Sequence, residues 1–316
     1  MVYHNIYATS DVILERALKN RFRGFRAELD FIGFVNSKRT ALSGGYLVPL
    51  RYKMPTLSSP VYFTVDNKNE TVYRNLYEKV NAVNLSKLLY VRYNNSDIKD
   101  WKKIDVMNTG DLMPVPGFRV FDFQGNDFIK ISDDLSGLIN LFTHKSARRT
   151  QGVKISTTAR QYCISLINDF DLNLLIELYV GRLIFDGYIG FAFNKGIPSD
   201  IDLVVESKSK KLLLIEIKEK DISKTNPKGF GIDVRRLKDC LQLSAETGLE
   251  YRYVVRQVNN QTERKFEEWK WISFEEFEKL TDKKNIKNGG VGMGTIGDDN
   301  PTVMVAYEHF KNLKLE

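Results

Sequence analysis

Cysteine is scarce: the 316 residues hold only Cys163 and Cys240, which excludes a disulfide framework and a cysteine-rich metal site. The three histidines, His4, His144 and His309, are scattered and assemble neither a zinc site nor a histidine-based nuclease motif. No apolar run approaches the roughly 20 residues that a membrane span needs. The most hydrophobic stretch, Leu172 to Phe185, is broken by Glu177 and Arg182. The opening Met-Val-Tyr-His-Asn has neither the basic nor the apolar region of a secretory signal. A soluble, cytoplasmic protein is therefore expected. No internal repeat or long low-complexity segment is visible. The glycines at 289, 290, 292 and 294 follow no strand and precede no Lys-Ser/Thr, so they are not a phosphate-binding loop.

What is present is a foldable composition, 42% hydrophobic and 28% charged, with a net charge of +7. The charge is uneven. Residues 1–150 carry 22 Lys/Arg against 15 Asp/Glu, whereas residues 151–316 carry 25 of each. The surplus of cations points the N-terminal half toward a polyanionic partner. Two domains are expected: a basic, β-rich α+β domain over 1–145 and an α/β domain over 155–316. The basic stretch His144–Lys154 is read as the linker.

In the first domain a helix capped by Ser10 or Asp11 leads into Arg21. Strands are expected at Arg26–Phe34, Gly45–Tyr52, Val61–Val65, Leu85–Tyr93 and Phe118–Phe123. Arg21-Phe22-Arg23-Gly24-Phe25-Arg26 interleaves cations with aromatics, as suits phosphate contacts and base stacking. Arg51 and Lys53 are further DNA-contact candidates. The second domain reads as helices at Thr157–Asn168 and Leu172–Phe185, then strands at Ile189–Phe193, Ile201–Glu206 and Leu212–Lys218. A helix over Asp233–Thr247 stops at Gly248. Strands at Tyr251–Val258 and Lys270–Ser273 and a short helix at Phe274–Leu280 complete one mixed sheet flanked by helices.

The informative chemistry lies in two neighbouring strands. Residues two apart on a strand share a face, so Glu216 and Lys218 project together, opposite Ile215 and Ile217. The turn at Ser207–Lys211 folds the Asp202 strand back against them. Two carboxylates and an ammonium on otherwise apolar strands are costly to bury without a cation or another partner. A hard divalent ion such as Mg²⁺ suits such oxygens. Glu-x-Lys alone means little, since Glu263/Lys265 and Glu268/Lys270 repeat it in polar surroundings. Only Glu216-Ile217-Lys218 follows four aliphatic residues and has an aspartate-bearing strand upstream.

Asp202…Glu216-Ile217-Lys218 resembles the core of the PD-(D/E)xK nuclease superfamily, over residues 157–275. Glu177, on the helix before the first core strand, and Gln242, on the helix after the third, correspond to positions that some members use. Pro198-Ser199-Asp200 departs from the family's Pro-Asp pair and leaves Asp200 or Asp202 as the ligand, with Asp202 preferred. The resemblance implies a restriction-endonuclease-like fold and hydrolysis of DNA. Asp202, Glu216 and the Ile217 carbonyl would hold Mg²⁺, Lys218 would orient or deprotonate the attacking water, and Glu177 would add a ligand. Double-stranded DNA is then the expected partner, and two-strand cutting with one site per chain favours a homodimer. A restriction or other defence role is the first expectation. The alternatives are a repair, recombination or transposon-associated nuclease, and a DNA-binding module on a catalytically inactive nuclease fold.

Overall fold

The computed structural model describes residues 15–36, 42–48, 61–81, 87–106, 112–148, 157–189, 192–194, 199–207, 209–282, 286–288 and 301–313. It is a mixed α/β protein with mixed and antiparallel sheets flanked by helices. Helix α1 (Glu15–Asn36) opens the described chain. Strands β1 (Leu42–Val48) and β2 (Val61–Asp66), helix α2 (Arg74–Asn81) and strands β3 (Lys87–Tyr93), β4 (Phe118–Gln124) and β5 (Asp127–Ser132) follow. After helix α3 (Leu172–Arg182) come β6 (Ser199–Glu206), β7 (Leu212–Lys220), helix α4 (Val234–Thr247), β8 (Glu250–Val258), β9 (Phe266–Ser273) and β10 (Lys311–Asn312).

These elements form two compact units that are interleaved along the chain. One comprises residues 1–18 and 43–201, the other 19–42 and 202–316. The division falls at 201/202 and not at a linker near 145–155. It also assigns most of α1 to the second unit.

In the first unit β1 pairs antiparallel with β2, and β2 runs parallel to β3. A parallel pair needs a crossover, and α2 supplies it. Strands β4 and β5 then add antiparallel neighbours beyond β3. The α2 face of the sheet is an aromatic layer in which Tyr77 contacts Tyr62, Tyr90, Phe123 and Phe128 at ring separations of 4.9–6.2 Å. Alternate residues of β2, Tyr62, Thr64 and Asp66, share one face of that strand. Tyr62 and Thr64 both meet Tyr77.

In the second unit β6 and β7 form an antiparallel hairpin, and β7 is parallel to β8 through the α4 crossover. Strand β9 pairs antiparallel with β8, and β10 with β9. Leu203, Val205, Leu213, Ile215, Ile217, Val254 and Trp269 make one apolar face. It is covered by Ala27, Phe31 and Val35 of α1. Phe31 meets Trp269 edge-on at 5.1 Å.

This helix replaces the strand expected over Arg26–Phe34. Phe25, Ala27, Leu29 and Phe31 alternate in the sequence, which mimics a strand. The alternation arises because α1 is buried on two sides, with Phe22, Phe25 and Leu29 as well as Ala27, Phe31 and Val35 all removed from water. The aliphatic strands of the second unit stand where the sequence places them. Gly248 closes α4 at φ 68°, its N–H donating to the Ser244 carbonyl at 2.8 Å. The helix expected through Phe185 instead widens into a π-helical segment over Leu183–Ile189. The Ser10/Asp11 cap and the start of the helix expected from it lie outside the described residues.

Candidate active site

The side of β7 opposite the α1 face carries Glu216 and Lys218. The hairpin pairs Leu203 with Ile215, and continuing that register puts Asp202 opposite Glu216. The Asp202 carboxylate accepts the Ile217 N–H at 2.6 Å. The Lys218 Nζ lies 2.6 Å from Glu216 Oε1 and 3.8 Å from Asp202 Oδ2. One ammonium therefore sits between two carboxylates.

Glu216 is only 1% exposed. Its other oxygen pairs with Arg236 from the first turn of α4 and accepts the Tyr251 hydroxyl of β8 at 3.4 Å. Burial works against the charge of Lys218, but Glu216 and Asp202 outweigh it and hold the ammonium well above the ordinary lysine range. Cys240 of α4 lies against the same cluster. Burial pushes its thiol up, so it stays neutral and unreactive.

The remaining candidates separate. Asp200 belongs to the first unit, where both terminal nitrogens of Arg182 hold its Oδ2 at 3.1 and 3.2 Å. Gln242 is exposed on α4 and donates to Glu246. Glu177 is also in the first unit, on α3, where burial and then Asp66 push its carboxyl up to about 7. Arg21, Arg23 and Arg26 stand on α1 and belong to the second unit, not to an N-terminal domain. Arg23 donates to Asn20 at 3.3 Å, and the Nε atoms of Arg23 and Arg26 are buried without a hydrogen-bond partner. Arg51, Lys53 and most of the expected linker lie outside the described residues.

Two groups of interest are not read from the sequence in advance. Arg236 looks there like one of several solvated cations on a helix, and only the fold turns it toward Glu216. Asp66-Asn67-Lys68, closing the apolar strand β2, has the same acid-x-lysine spelling as Glu216-Ile217-Lys218. An aspartate in place of the glutamate was enough to hide it.

Among the described residues no three or more His, Cys, Asp or Glu side chains gather as a metal-ligand set. A cation at the cluster would rest on Asp202 and Glu216, two hard-oxygen groups nearly removed from water, their side chains 4% and 1% exposed. That donor set fits Mg²⁺, which is commonly held by one or two carboxylates while keeping water and phosphate oxygens. The position between the two carboxylates already attracts one cationic group, Lys218. No protein-family model, curated protein or solved structure matches the chain. No helix among the described residues is long and apolar enough to cross a membrane.

Proposed function

We propose that the chain is a Mg²⁺-dependent endonuclease acting on double-stranded DNA, with Asp202 and Glu216 as cation ligands and the Ile217 carbonyl as a third oxygen. One observation carries the reading: two carboxylates shielded from water converge on one lysine ammonium, on a hairpin that feeds a helical crossover to a parallel strand. Burying charge in this way is costly, and a solvated surface pair would not require it. A bound Mg²⁺ polarises a phosphate oxygen and lowers the pKa of a coordinated water. Lys218, kept protonated by its neighbours, faces the phosphate and offsets negative charge as it develops, rather than acting as the base. Arg236 and Tyr251 fix the Glu216 rotamer, and the Ile217 N–H fixes Asp202. The basic N-terminal half supplies phosphate contacts that bind without reading sequence.

Incubation of methylated and unmethylated plasmid and phage DNA with Mg²⁺ or EDTA tests this. Discrete fragments are expected with Mg²⁺ only, and Lys218→Ala should slow cleavage by at least about 100-fold. Absence of cleavage on every substrate, together with no Mg²⁺ uptake by calorimetry, would overturn the reading. One observation favours a second reading, a DNA-binding module on an inactive nuclease fold. Lys218 and Arg236 between them already occupy both oxygens of Glu216, neutralising it without metal. Intact DNA binding without Mg²⁺ uptake would establish that alternative.

A further inference from the structure

The second half of the chain balances its charges overall but does not spread them evenly. Residues 218–238 hold seven Lys/Arg against three Asp/Glu. This segment leaves the acid–lysine cluster and comes back to it. At its start Lys218 pairs with Glu216 Oε1 at 2.6 Å, and near its end Arg236 pairs with the other oxygen of the same carboxylate. The chain between them is an excursion that begins and ends at one buried side chain.

Four cations stand on that excursion. Lys220 ends β7 and, by alternation, projects on the same side as Glu216 and Lys218. That is the carboxyl end of the parallel β7–β8 pair, the end at which open α/β sheets take their ligands. Lys224 and Lys228 stand on the connection that follows, and Arg235 lies in the first turn of α4. Each is exposed, and none has an ion pair or a side-chain hydrogen bond among the described residues. The three acids of the segment pair elsewhere. Glu219 is held by Arg256 at 2.9 Å and by Arg264 at 2.6 Å. Asp221 accepts from Gln261 at 3.2 Å, and Asp233 accepts the Thr302 hydroxyl at 3.4 Å.

The backbone that carries these cations is tied down. The Ser223 N–H donates to the Gly229 carbonyl at 3.0 Å, the Tyr307 N–H to the Lys228 carbonyl at 2.9 Å, and the Lys287 ammonium to the Thr225 hydroxyl at 2.7 Å. Tyr253, in register with Glu216 across the parallel pair, donates its hydroxyl to the Gly231 carbonyl at 3.0 Å. That bond holds the strand Gly229–Asp233 on the cluster's side of the sheet. A charge run on a loose loop is ordinarily just solvated. Here unpaired cations on a fixed frame repel one another, and a polyanion relieves that repulsion. The arginines of α1 do not flank the cluster, because that helix covers the opposite face of the same sheet.

We infer that residues 220–235 form a phosphate-binding track for duplex DNA around the acid–lysine cluster, with Lys220, Lys224, Lys228 and Arg235 as its contacts. The inference rests on the nuclease reading for the identity of the polyanion, but it concerns binding and not cleavage. Contacts of this kind neutralise phosphates and release counterions, so they grip the backbone whatever its sequence.

Fluorescence anisotropy of a labelled duplex with the full chain in EDTA, over a series of salt concentrations, tests the track. The logarithm of the association constant falls linearly with the logarithm of salt, and a Gln substitution at Lys220, Lys224, Lys228 or Arg235 should each make that slope shallower by about 0.9, the share of one phosphate. Lys211→Gln should leave the slope unchanged, since Lys211 stands at the opposite end of β7 and already pairs with Glu250 at 2.9 Å. Unchanged slopes in all four variants overturn the track, and so does an equal loss in Lys211→Gln, which would mark an effect of net charge alone. Failure of the wild type to bind the duplex even at low salt also overturns it. Mg²⁺-dependent cleavage by the same wild-type preparation judges the nuclease reading separately. Cleavage with unchanged slopes leaves the nuclease without this track, whereas shallower slopes without cleavage keep the track on a DNA-binding protein that does not cut.

Discussion

Glu216 is held by a cation on each oxygen, and that determines what its neighbours do for stability. Arg236→Met removes one partner and leaves a carboxylate, 1% exposed, with Lys218 and the Tyr251 hydroxyl. Removing one member of a buried ion pair strands the other charge, and a loss of about 3 kcal/mol is expected. Urea unfolding without metal measures it, and an unchanged midpoint would show the pair to be dispensable.

Glu177 gives the opposite sign. Its folded pKa is raised from 4.5 to about 7, chiefly by burial. Between those values the folded state keeps a proton that the unfolded chain has released, so stability falls as pH rises through that window. Glu177→Gln should flatten this slope in EDTA and exceed the wild type in stability at pH 8, by at most about 3 kcal/mol. A variant whose stability follows the wild-type pH profile would contradict this. The Asp202, Glu216 and Lys218 grouping is legible in the sequence because charge on an aliphatic strand is conspicuous. Arg236 is not, because its role depends on which way a helix is rolled.

Among the elements, α1 departs furthest from its sequence pattern. A helix wetted on one side shows a 3.6-residue period, but one buried on two sides fills in positions that imitate alternation. The hairpin and Phe274–Leu280 were legible for the opposite reason: their neighbours agree with their local pattern. Phe31→Ala should cost about 3–5 kcal/mol, since its ring meets Trp269 over the β6–β7–β8 face. Scanning calorimetry would show it as a lowered melting temperature.

A second element is fixed by absence of a side chain. The strand Gly229–Asp233 pairs with Pro301–Ala306, and a Cβ on Gly229 would lie 2.0 Å from the Val305 carbonyl. Gly229→Ala must therefore push these strands apart. Faster amide exchange in both is expected, and exchange like the wild type's would refute it.

For the whole molecule, the interleaved units make residues 155–316 an incomplete piece. Without 19–42 the apolar face of Leu203, Ile215, Ile217 and Trp269 loses its helical cover. A fragment 155–316 should therefore aggregate or stay molten, and co-expression with a peptide spanning residues 15–42 should restore a cooperative transition. A stable, monomeric fragment would argue against this division.

The interleaving also bears on how the protein is made. Helix α1 is synthesised well before its partners, which begin at residue 202, more than 160 positions later. At bacterial-to-eukaryotic elongation rates that is roughly 10–30 s in which Phe31 and Val35 have nothing of their own unit to pack against. The nascent chain is thus expected to bind hydrophobic-binding chaperones, and codon changes that slow translation between the two segments should lower the soluble yield without altering a single amino acid.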